Sequence, residues 1–213
     1  MSEIYAYSGI SQNEINANRE TSEGKFYSLN HPKELLVSMR YNGQDSSGSN
    51  SQGWERNSSY YFSQMKNNHP EYFSNKNISR IAIGESPKVD AKFVKNFPQY
   101  KGYEGETLIH HHIGKDGQAV AVPSSIHKGS GEIHTIENNL GVTKNAESFS
   151  TSCEKRCSQN PSLLGQTSDK FKSLEISNSK IKNNAFTRKG KESPQSSSLN
   201  VNREEQINRE KSR

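Results

Sequence analysis

Five of the chain's seven histidines fall in one short stretch, ETLIHHHIGKDGQAVAVPSSIHKGSGEIH over 106–134: His110, His111, His112, His127 and His134. Imidazole titrates near neutrality and is the commonest protein ligand for transition metals, so such a group can both hold a cation and move a proton. In an extended segment successive side chains point to opposite faces. His110 and His112 therefore share one face, and His111 takes the other. A strand histidine and a histidine from a following helix can converge on one metal ion, leaving a neighbouring histidine to take a proton from water. These are the requirements of phosphodiester hydrolysis, in which a base activates water and a cation stabilises charge on the phosphate and the leaving oxygen. Lys115 and Lys128 flank the cluster and would meet phosphates. Glu106 and Glu132 would orient imidazoles from behind. A structural metal site would be closed by cysteine and histidine, and no cysteine lies near the five histidines.

These histidines need elements to position them. ETLIHHH reads as a strand, Lys115-Asp116-Gly117 as a turn, and QAVAVP as a returning strand. SSIHKG follows Pro123 and reads as a helix start that Gly129 and Gly131 keep short or broken. Upstream, PKELLVSMR predicts a short helix with Leu35, Leu36 and Met39 on one face, and NGQDSSGSNSQG reads as a linker. Trp54, Tyr61, Phe62 and Met65 lie near helical spacing. Ser86-Pro87 suits a helix N-cap and first turn, with Val89, Phe93 and Phe97 recurring four apart until Pro98. His31 and His69 each precede a proline and read as surface or cap residues.

Of the 213 residues only 29% are hydrophobic, and mean hydropathy is -1.02. Typical domains are roughly 45–50% apolar with glycine included, so one core should not cover the whole chain. The expected division is a polar N-terminal region and linker over 1–53, a folded unit over 54–148, and a disordered polar tail over 149–213. The net charge of +5 favours an anionic partner such as nucleic acid. Cys153 and Cys157 form C-x-x-x-C, not the spacing of a zinc knuckle, and read as free thiols. No run is long enough to span a membrane, and MSEIYAYSGI lacks the features of a secretory signal. The expected location is therefore cytoplasmic, or outside the cell by a non-classical bacterial secretion route.

The string LIHHH…GQAVAVPSSIHKGSGEIH resembles the HNH/endonuclease VII superfamily of nucleases, in the variants with a Leu-His-His or Trp-His-His strand. Such variants are common as toxin modules of bacterial polymorphic toxins, including Rhs-type proteins. Ile109 stands where Leu or Trp is usual, and SPKVDAKFVKNFPQYKGYEGE resembles the usual lead-in; the resemblance covers roughly 55–148. It implies a small ββα-metal (His-Me finger) core; with the short helices read before it and the disordered N- and C-terminal regions expected from composition, the chain reads as α+β. The resemblance also implies one divalent cation (Mg, Mn, Zn or Ni), a nucleic-acid substrate, DNA above all, and an immunity protein as a further partner. Carried onto this chain, it makes His110 a ligand, His111 the base and His127 a second ligand. His134 would complete the site or hold phosphate. In the rival register His111 is the ligand and His112 the base.

Overall fold

A computed structural model of the protein describes residues 3–127 and 132–189. Contacts divide the chain into Met1–Ser173 and Leu174–Arg213. In the first unit Ser11 caps α1 (Gln12–Asn16). A short antiparallel ribbon follows, β1 (Arg19–Glu20) with β2 (Phe26–Tyr27). Next come β3 (Val37–Ser38), α2 (Ser58–Asn68), α3 (Asn75–Ala82) and α4 (Ala91–Asn96). Asn57, Ser74 and Asp90 cap these three helices, each side chain accepting a backbone N–H of the first turn. β4 (Leu108–His112) and β5 (Gln118–Pro123) form a hairpin, and β3 pairs with β5 to give a three-stranded antiparallel sheet of order β3-β5-β4. α5 (Ile133–Asn139), α6 (Val142–Gln159) and α7 (Ser168–Lys189) follow. The result is the expected α+β architecture, with a ββα succession around the histidines.

The structure departs from the sequence expectations for stated physical reasons. PKELLVSMR forms a single tight turn, Lys33–Leu35, and then β3. Leu35, Val37, Met39 and Tyr41 are all buried while the residues between them are not, which is the alternation of a strand. Ser86-Pro87 opens no helix, because Pro87 and Val89 exchange backbone hydrogen bonds with 105–108 and the helix starts later, behind Asp90. The expected linker belongs to the packed body. The Asn50 side chain accepts N–H groups of Gln52 and Trp54 and donates to the Lys115 carbonyl, so amides order this stretch where apolar contacts are few.

Residues after 149 also depart from the expected disorder. α6 runs to Gln159, and Phe149, Cys153, Cys157 and Phe171 pack with Tyr41 and Trp54 as a second core beside the main one. Both cysteines are buried and form no disulfide. Among the described residues, no helix is long and apolar enough to cross a membrane. Gly117 lies where this second core meets the hairpin. A Cβ there would come within 2.5 Å of Trp54 ring carbons and 2.6 Å of Ser168 Cβ. His69 is the C-terminal cap of α2, as expected, and stacks on Tyr72. His31 is not a surface residue: it is 8% exposed and packs between Tyr7 and His111. Burial, helped by His111, lowers its pKa from 6.5 to about 3.

Two predictions follow from this packing. Trp54 is the single tryptophan, so its fluorescence reports unfolding of the second core. Phe171→Ala should cost about 3–5 kcal/mol in urea unfolding, and Gly117→Ala about 1–3 kcal/mol; an unchanged midpoint for Phe171→Ala would show that this part of the chain does not support the body. The second prediction concerns pH. Unfolded His31 binds a proton near 6.5 that the folded residue refuses until about 3, so the unfolded state holds more protons in that window and stability falls as pH drops through it. The slope from this residue is at most about 1.4 kcal/mol per pH unit. His31→Phe should flatten stability measured between about pH 7 and pH 5, whereas equal slopes in both proteins would absolve His31.

Candidate metal centre

The β4–β5 register sets the positions of the triplet: His110 opposes Ala121, His111 opposes Val120 and His112 opposes Ala119. Small partners leave room for three rings on adjacent positions. As alternation requires, His111 points into the protein and is fully buried, while His110 and His112 share the other face with ring centroids 5.5 Å apart.

His127 and His134 come to His111. The turn after Pro123 carries His127, and Glu106 holds that turn through Ser125 N–H (2.9 Å) and Ser125 Oγ (3.0 Å) while pairing with Lys25. His127 therefore sits on a turn, and the helix expected at SSIHKG begins later, at Ile133, with His134 in its first turn. Ring centroids lie 4.9 Å apart for His111–His134, 5.3 Å for His111–His127 and 4.7 Å for His127–His134. One nitrogen from each ring lies within 4.8 Å of the other two. Burial depresses all three pKa values, that of His127 to about 3 with help from His111 and His134, so the rings are in the neutral form that binds metals.

One buried carboxylate organises this group. Glu137, one helical turn after His134, lies 2.8 Å from His111 Nε2 through Oε1 and accepts Gly114 N–H at 2.9 Å through Oε2. When Glu137 is ionised and Nε2 donates to it, Nδ1 of His111 keeps its lone pair; that buried atom has no hydrogen-bond partner among the described residues. Burial pushes the Glu137 carboxyl up to about 8, against the Gly114 N–H and His134. A cation at the imidazoles would favour the carboxylate form. Gly114 is itself required. Its φ is 59°, and a Cβ would lie 2.8 Å from Val142 Cγ1 and 2.9 Å from the Val142 carbonyl oxygen. The residues therefore fit a single divalent ion: three neutral imidazoles, one with a buried orphan nitrogen, and a carboxylate orienting that ring from behind.

On the opposite face the His112 Nδ1 is 2.7 Å from the Asp116 carbonyl oxygen and donates to it. The lone pair is then on Nε2, which has no hydrogen-bond partner among the described residues. Burial holds this ring below the usual imidazole pKa. A cavity of about 800 Å³ joins the two faces, lined by Arg56, His110, His112, Lys115, His127 and His134 among others. Its described lining carries Arg56 and Lys115 and no aspartate or glutamate, which gives it a positive character.

Several expectations change. The trio that the fold brings together is His111, His127 and His134, not His110, His127 and His134, because His110 leaves the strand on the other face. Glu106 and Glu132 touch no imidazole: Glu106 braces the turn at 124–125, and Glu132 accepts the Ser22 N–H and hydroxyl. Lys115 does line the cavity, as does Asn138, while Lys128 lies outside the described residues. Sequence reasoning missed Glu137 and Arg56. Glu137 left a signal, since it is three residues after His134 and so shares a helix face with it. Arg56 left none, because it comes to the cavity from a distant stretch of the chain.

No curated protein and no solved structure matches the chain. Residues 33–135 match the family model Tox-HNH-HHH, described as an HNH/Endo VII superfamily nuclease toxin with a HHH motif. The matched stretch runs from the turn before β3 to the first turn of α5 and so takes in the whole hairpin and all five clustered histidines. Over residues 33–135 the chain is thus similar to nuclease toxins of the HNH/Endo VII superfamily that carry a HHH motif.

Proposed function

We propose that the protein is a divalent-metal-dependent endonuclease that hydrolyses phosphodiester bonds in DNA. In this reading His111, His127 and His134 hold the metal, and His112 is the general base. The observation that carries the proposal is the division of adjacent strand histidines between two faces. His111 faces two further imidazoles and a carboxylate, while His112 is pinned through Nδ1 with Nε2 unpartnered among the described residues.

The chemistry follows from these residues. His112 Nε2 takes a proton from water, and its Nδ1–H bond to the Asp116 carbonyl fixes both the tautomer and the ring orientation. Arg56 and Lys115 attract the phosphate into a cavity without carboxylates. Glu137 holds His111 so that Nδ1 faces the other two rings. A divalent ion bound there would supply the positive charge for the phosphate and the leaving oxygen. With water as the nucleophile the reaction needs no 2′-hydroxyl and is open to DNA. The proposal extends to a toxin delivered in a polymorphic system of the Rhs type. An immunity protein would protect the DNA of the producing cell.

Plasmid cleavage with magnesium, manganese, zinc or nickel tests this reading, with RNA run beside it. His112→Ala should slow cutting by about 10²–10⁴-fold and leave metal affinity in calorimetric titration unchanged. His111→Ala should lose the metal. If His112→Ala cuts normally while His111→Ala cuts nothing yet still binds metal, the roles are reversed. Glu137→Gln should weaken metal affinity by about 10–100-fold. Binding of DNA by the intact protein with no cutting under any of the four metals would make the protein a noncatalytic binder.

A further inference from the structure

The metal trio and the base use His111 and His112 and leave the first histidine of the triplet without a task. We infer that His110 is a substrate-contacting residue, whose imidazole N–H donates a hydrogen bond to a phosphate oxygen of the nucleic-acid backbone. This rests on the nuclease reading above and deepens it, since it divides the triplet among phosphate, metal and base.

Four observations carry the inference. First, the β4 alternation that removes His110 from the metal trio places it on the face of the base, its ring 5.5 Å from that of His112. Second, His110 lines the same cavity as His112, Arg56 and Lys115. A phosphate drawn in by the two cations would meet the His110 ring on the way to His112. Third, Nε2 of His110 is buried and has no hydrogen-bond partner among the described residues. An imidazole placed only for packing leaves such an atom at a cost, and a site awaiting a ligand explains it. Fourth, the neighbour that might have satisfied this ring is engaged elsewhere. Tyr61 packs at a centroid distance of 6.0 Å, but its hydroxyl donates to the Leu35 carbonyl. Tyr61 thus supports the ring as a wall and does not compete for its nitrogens.

A single N–H donor suits the task. A phosphate already facing Arg56 and Lys115 gains from a further N–H donor without a third full charge to desolvate beside His112.

The test uses the whole chain, with His110→Leu and His110→Gln beside the unmodified protein. Leucine keeps the apolar contact with Tyr61 and removes the donor, whereas glutamine keeps a neutral N–H donor at similar reach. Binding of a short fluorescein-labelled double-stranded DNA is read by anisotropy in EDTA, so that neither metal nor turnover enters. His110→Leu should weaken binding by about ten- to a hundred-fold, and His110→Gln should recover most of the loss. In cleavage, the leucine variant should raise KM more than it lowers kcat. Its manganese affinity and its urea midpoint should stay unchanged.

Equal binding by His110→Leu and the unmodified protein would overturn the inference and leave the nuclease reading standing. So would loss of manganese affinity in His110→Leu, which would make His110 a ligand. Weakened binding in both variants together with a lowered urea midpoint would assign His110 to packing and would also overturn it. If the unmodified protein binds DNA but never cuts it, the nuclease reading fails, and the anisotropy series still decides whether His110 holds phosphate.

Discussion

A single buried carboxylate connects the parts of this structure that matter most. Glu137 reaches from α5 to the ring of His111 on β4 and to the backbone of Gly114 in the hairpin turn. Strand, turn and helix are thereby locked at fixed distances, with both oxygens of one side chain used. Such a group is costly to bury and is tolerated only when its hydrogen bonds are complete. The Gly114 conformation, the close approach of Val142 and the small residues of β5 opposite the triplet all serve the same geometry. The histidines are thus placed by an arrangement whose stability does not depend on them alone.

The hairpin and its histidines were legible because they obey short-range rules. Period-two alternation, a turn signal and a proline at the end of β5 are local properties, and they placed His111 opposite to His110 and His112 correctly. The assignment of roles needed more. Which face turns inward depends on packing by α5 and α6, and no local pattern states it. The resemblance carried a register with Ile109 in the apolar position and His110 as a ligand, whereas the fold turns His110 away from the cluster of His111, His127 and His134. Glu106 shows the same limit. Its type and proximity suggested a partner for imidazole, yet it acts one step earlier, bracing the turn that carries His127.

Composition misled for a different reason. Mean hydropathy treats tyrosine, asparagine and histidine as polar, and this protein buries all three. Tyr61, Tyr100 and Tyr103 contribute aromatic bulk while their hydroxyls donate to backbone carbonyls of Leu35, Ala121 and Phe26. Asn50 and Asn77 satisfy backbone groups in stretches with few aliphatic residues. A core assembled this way looks like a disordered chain to any scale that sums residues one at a time. Its order resides in pairings, and many of those pairings span most of the chain.

That last property bears on how the protein is made. Tyr5 bonds Asp169, Tyr41 packs on Phe171, and the Tyr41 and Ser168 backbones are tied to 166 and Met39. Translation adds about 5–20 residues each second. The second core cannot close until Phe171 has left the ribosome, about 2–10 seconds after the histidine hairpin has emerged. During that interval the hairpin exists without the layer that Trp54 and Phe149 build behind it. The chain therefore passes through a state in which the hairpin has emerged and the second core is still open.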